Sequence, residues 1–160
     1  MNTQDFIATF SVDQAPEAVF DAINNVRGWW SGEIEGDTDH LGAEFTYRYK
    51  DVHCSTQRIT DFIRGKRIVW RVVDSSLTFV KDTSEWNETE IVFEICETHG
   101  KSELRFTHRG LIPQFECYRS CSNAWRMLIN GNLPKLIATV NVSETCSPKR
   151  TKRTSETALW

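Results

Sequence analysis

The stretch that most constrains this chain is Glu103 to Trp125, ELRFTHRGLIPQFECYRSCSNAW, because its apolar spacing changes once, from that of a strand to that of a helix. Leu104, Phe106 and His108 alternate with Glu103, Arg105, Thr107 and Arg109, the pattern of a strand with one apolar and one solvated face. Gly110 and Pro113 end it. Beyond them Tyr118, Cys121, Trp125 and Leu128 fall on one helical stripe. A long apolar helix therefore follows the last strand directly, from about Gln114 to about Thr139. Gly131 and Pro134 predict a kink between Asn130 and Pro134, since proline lacks the N–H that would bond four residues back.

Read from the start, the chain gives a strand over Gln4–Val12 and a short helix from Pro16 to about Asn25, with Asp13 or Gln14 expected to supply its cap. Gly28-Trp29-Trp30-Ser31-Gly32 is short enough for a single turn, with Trp30 expected inward and Trp29 at the rim. A brief strand at Glu33–Glu35 and an acidic loop follow. Hairpins come next: Phe45, Tyr47 and Tyr49 share one face of a strand, and His53–Ile63 forms another. Ile59 and Phe62, three apart, place a bulge near Thr60 or Asp61. After Gly65-Lys66, the strand Arg67–Val73 turns Ile68, Trp70 and Val72 inward, and Ser75–Asn87 reads as a strand remnant and a mobile connection. Glu88–Thr98 is a clear strand, and His99-Gly100 is a two-residue hairpin turn into Lys101.

Several blocks in this order, VFDAI and GWWSG at Val19–Gly32, GKRIVWRV at Gly65–Val72, FTHRGL and CYRSC ahead of Trp125, resemble the homologues of the heat-shock protein 90 ATPase activator. That family is one branch of the START and birch-pollen-allergen superfamily, and the likeness runs from about Phe6 to Leu136. The resemblance implies an α+β helix-grip fold, in which a curved antiparallel sheet of about six to seven strands wraps a long C-terminal helix, with two short helices after the first strand. It also implies an apolar cavity between sheet and helix. It implies less about activity, because the superfamily holds carriers, receptors, cyclases and co-chaperone modules.

The 160 residues fit one domain over 1–142, and the polar, basic residues 143–160 are expected to be a disordered tail. That tail conceals an acidic body, since residues 1–140 carry fifteen basic and twenty acidic side chains. An acidic body argues against nucleic acid as a partner, and no apolar run approaches the roughly 20 residues of a membrane span. With five cysteines and no secretion signal, a cytoplasmic protein with reduced thiols is expected, monomeric or weakly dimeric. Cys117 and Cys121, one helical turn apart, are expected to be small buried hydrophobes rather than metal ligands.

Enzymatic signatures are scarce: there is no phosphate-cradling glycine loop, nucleophile elbow, HExxH or CxxC, so no cofactor, metal or catalytic residue is expected. Three classes of function remain. The first is a module that binds a small apolar or amphipathic molecule on a wall of Trp30, Phe45, Tyr47, Trp70, Phe93, Phe106, Trp125 and Leu128, with His108 offering a neutral hydrogen bond. Such rings also suit a filled core. The second is a co-chaperone or protein-interaction module that uses the acidic outer surface. Against it, the activator family carries a chaperone-binding domain ahead of this module, which here begins at about Phe6. The third is a cyclase- or hydrolase-type enzyme using His108 with an inward tyrosine.

Overall fold

The computed structural model describes residues 5–81 and 83–143, the side chains of 140–143 excepted. Seven strands form one antiparallel sheet: β1 (Phe6–Val12), β2 (Glu33–Gly36), β3 (Glu44–Tyr49), β4 (His53–Ile63), β5 (Arg67–Leu77), β6 (Glu90–Thr98) and β7 (Lys101–Arg109). Their order is β1-β7-β6-β5-β4-β3-β2, so the first two strands are the opposite edges. At a strand spacing of about 4.8 Å, the connection between them must cross roughly 29 Å of sheet. Helix α1 (Pro16–Asn24) and a 3-10 turn (Val26–Gly28) make that crossing, and α1 packs on β6 and β7.

After β7 come α2 (Tyr118–Met127), a π-helical turn (Leu128–Asn132) and α3 (Leu133–Ser143), which packs against α1. The architecture is thus the helix grip, α+β. Of the two short helices expected after β1, the second is only the 3-10 turn, placed ahead of the two tryptophans rather than on them.

The bulge in β4 lies where the spacing of Ile59 and Phe62 places it, the register shifting between Ile59 and Asp61; a second shift at Thr56/Gln57 had no sequence signal. His99 and Gly100 both have positive φ, 54° and 79°, the pairing that a tight hairpin with right-handed twist requires.

Five expectations are corrected. No side chain caps α1: main-chain N–H groups of Ala18 and Val19 bond the Ala15 carbonyl, and the Gln14 carbonyl accepts from Ser102. Trp29 is not a rim residue. Both tryptophans are buried: the Trp29 ring packs on Phe93 and Trp70, and the Trp30 ring on Tyr47, Trp125 and Trp70. Strand β5 continues to Leu77, and the segment behind it is anchored, with Trp86 fully buried and Glu88 N–H bonded to the Val72 carbonyl. The closing helix begins at Tyr118, because the Glu85 carboxylate accepts the main-chain N–H groups of Glu116 and Cys117 and fixes its start there. It ends at Ser143 rather than near Thr139. The expected tail lies beyond this, with residues 144–160 outside the described residues.

Candidate functional site

The inner face of the sheet gathers every residue the sequence assigns to the binding wall. Trp30, Phe45, Tyr47, Trp70, Phe93, Phe106, His108, Trp125 and Leu128 are all buried in one core cluster or against it. Trp30 is its hub: its ring meets Tyr47 at 4.4 Å, Trp125 at 5.6 Å and Trp70 at 5.8 Å between centroids. Trp125 in turn lies 4.6 Å from Phe106 and stacks on Trp86 at 5.9 Å. Edge-to-face and stacked pairs at such distances are in contact, so in this conformation the rings occupy the middle of the grip.

His108 is held by a directional chain. The indole Nε1–H of Trp125 can only donate, and it donates to His108 Nδ1 at 3.0 Å. The proton of the neutral ring therefore sits on Nε2, which donates to Thr89 Oγ1 at 2.8 Å, and that hydroxyl donates to the Trp86 carbonyl at 2.6 Å. Both ring nitrogens are thus occupied by the protein itself. Burial lowers the His108 pKa to about 3. A Cβ at Gly110 would lie 2.8 Å from Thr89 Cγ2, and φ there is +99°, so glycine is what lets the turn after β7 close on this chain.

Sequence reading missed the neighbours of this chain. Trp86 carries one end of it and meets two imidazoles perpendicularly, His108 at 4.7 Å and His53 at 4.8 Å. His53 is buried on the inner face of β4, bonds Ser55 Oγ at 2.9 Å, and has its pKa lowered to about 3 by burial first and by the charge of His108 second. Tyr47, 5.2 Å from His53, has its phenol pushed well above the usual range by burial. A general acid or base works best with a pKa near the working pH, and these three groups are displaced from it in the direction that keeps them neutral.

Ser55 and Gln57 continue the His53 face. Counting back by two from Ile59 reaches all three, so strand parity was the signal that could have found them. Gln57 is fully buried between its register partners Phe45 and Val72, and neither atom of its amide has a hydrogen-bond partner among the described residues. The same holds for Nε1 of Trp70, its diagonal neighbour on β5.

Cys117 and Cys121 are hydrogen-bonded to each other, and that bond, with burial, pushes the Cys117 thiol far above its usual range. Trp86 Nε1 donates to Cys121 Sγ at 3.3 Å. Among the described residues no group of three or more His, Cys, Asp or Glu side chains is arranged to hold a metal, and no helix is long and apolar enough to cross a membrane.

No family model matches the chain, and no curated protein sequence matches it. Solved structures do. The Aha1 dimer from Colwellia psychrerythraea is 18% identical, with 83% of this chain and 96% of that one covered at a TM-score of 0.67. Protein MLL2253 from Mesorhizobium loti is 13% identical over 85% and 98%, at 0.69. CalU16 from Micromonospora echinospora is 14% identical over 89% and 82%, at 0.61. In fold, this chain is similar to these three proteins, and one of them is an Aha1, of the family that VFDAI, GWWSG, GKRIVWRV and FTHRGL resemble.

Proposed function

We propose that this chain is a small-molecule binding module of the START-like superfamily, which takes an apolar or amphipathic molecule between the inner face of the sheet and the closing helix. The observation that carries the reading is Gln57. A buried amide with neither donor nor acceptor satisfied costs stability, and native proteins rarely keep one without a use. A ligand with one polar group would satisfy it, with the indole N–H of Trp70 beside it, while Trp30, Phe45, Phe93, Phe106, Trp125 and Leu128 contact the apolar body. Tyr47 belongs to the same wall. His108, engaged at both nitrogens, shapes that wall rather than orienting the guest. Rings must shift to admit a ligand, and the closing helix beside them carries a π-helical turn at Leu128–Asn132, a feature frequent at functional sites.

The test is Gln57→Leu, which replaces the amide by an apolar side chain of similar size. Removing two unsatisfied groups should stabilise the free protein by about 1–3 kcal/mol, read from urea unfolding. It should also abolish the shifts that fatty acids, sterols or flavonoids induce in the NMR signals of the inner face. Unaltered stability and unaltered binding would sink the reading.

A second reading, a co-chaperone or interaction module, is favoured by the outer face, where ion pairs such as Arg71–Glu88, Arg109–Glu90 and Arg67–Glu94 stand exposed or half-buried. It replaces the first if the heat-shock protein 90 chaperone shifts Arg71, Glu94 and Arg105 while no small molecule shifts the inner face.

A further inference from the structure

A separate open cleft of about 560 Å³ lies outside the grip, between the C-terminal end of α1, the loop after β2 and the end of β4. Its size is in the range of small-molecule sites, roughly 300–1,000 Å³. Asn24, the last residue of α1, forms part of its wall. That side chain is nine-tenths buried, and its Oδ1 has no hydrogen-bond partner among the described residues. Thr38 Oγ1 donates to the Asn24 carbonyl at 2.6 Å, which ties the loop to the helix end and holds the wall together. Half-buried Phe62 supplies an apolar surface, steadied edge-on against Phe20 at 5.0 Å.

Charge is arranged around that surface. Arg27 is oriented before any ligand arrives, because one terminal nitrogen donates to the carbonyls of Ile34 and Gly36 at 3.2 and 3.0 Å. Its other N–H groups make no hydrogen bond among the described residues, and a planar guanidinium so held suits a carboxylate. Asp39, exposed on the loop with one oxygen 3.3 Å from His40 Nδ1, offers the opposite charge, and Arg64 is already paired with Asp21 at 3.1 Å.

We infer that this cleft binds a small aromatic zwitterion of the amino-acid or short-peptide class. Its carboxylate meets Arg27, its ring lies against Phe62, and its ammonium meets Asp39. The cleft shares no residue with the inner wall, so this inference stands or falls apart from the ligand proposed for the grip.

The experiment titrates the full chain with L-phenylalanine to about 10 mM, and separately with N-acetyl-L-phenylalaninamide, which keeps the ring and loses both charges, following ¹H–¹⁵N NMR spectra. Saturable shifts at Asn24, Arg27, Thr38 and Arg64 are expected with the amino acid, and binding at least about tenfold weaker with the neutral analogue. Arg27→Gln should weaken the amino acid by about tenfold. Asp39→Asn, which keeps the shape of the side chain and removes the charge facing the ammonium, should also weaken it, whereas Gln57→Leu should leave it unchanged. Absence of saturable shifts, equal binding of the two probes, shifts confined to the inner face, or indifference to both Arg27→Gln and Asp39→Asn would each overturn the inference.

Discussion

Thr89 carries two bonds on one buried atom, since its single hydroxyl accepts from His108 and donates to the Trp86 carbonyl. Thr89→Val keeps the volume and removes both bonds, leaving the buried imidazole N–H without its acceptor, while the Trp86 carbonyl keeps the main-chain N–H of Thr89 at 3.1 Å. The expected cost is about 1–3 kcal/mol by urea unfolding, with Thr89→Ser close to wild type because it keeps the oxygen. His108→Phe belongs to the same argument. The sequence has His108 offering a hydrogen bond to a ligand; in the structure its loss takes the acceptor from the Trp125 indole N–H and should destabilise by a comparable amount. Trp125→Ala removes a fully buried ring together with that bond, and should cost about 3–5 kcal/mol.

Among the elements, the closing helix shows how a local conflict is resolved. Pro134 has no N–H to give, and its ring would clash with the Asn130 carbonyl, so the turn ahead of it widens to the π form over Leu128–Asn132. Asn132 Nδ2 then donates to the Trp29 carbonyl at 3.0 Å, which pins the widened turn to the paired tryptophans. Gly131 sits within it with nothing within 4 Å of where a Cβ would be. Gly131→Ala therefore introduces no clash, and should stabilise by about 0.4–1 kcal/mol through the unfolded chain, a rise of a few degrees in Tm by calorimetry. At the sheet's far edge, β2 is four residues long and Arg27 occupies two of its carbonyls, so this edge is closed to pairing with another strand.

For the molecule as a whole, the two buried histidines set the response to acid. Each has an ordinary pKa of 6.5, lowered to about 3 in the folded protein. Between those values the unfolded chain takes up protons that the folded chain refuses, so stability is full above pH 6.5 and falls as pH drops below it. The slope is about 1.4 kcal/mol per pH unit for each histidine, hence about 2.7 for both. Urea unfolding between pH 7.5 and 5 should be flat at the upper end and decline steeply at the lower. Replacing His53 by Gln should reduce that slope by about half.

Element by element, the sequence alone determined the sheet and the final helix, because alternation and helical spacing are local patterns written in side chains such as Leu104, Phe106, Cys121 and Trp125. It placed the bulge beside Asp61 and the turn at His99-Gly100 for the same reason: both are set by a few neighbouring residues. It placed all nine residues of the proposed wall inside, six of them by strand parity, Trp125 and Leu128 by the helical stripe, and Trp30 by choice between two adjacent rings. Only the tertiary structure decided what those residues meet there. That Trp29 joins Trp30 in the core depends on how the chain crosses from β1 to β2, and that Ser75–Asn87 is anchored depends on Glu85 reaching the start of α2 and Trp86 reaching Cys121. Whether His108 is free to hold a guest depends on Thr89 and Trp125, 19 and 17 residues away in the chain. Hydrogen bonds across such separations leave no periodic trace in the sequence, because each is made by packing that brings together strands and helices from different parts of the chain.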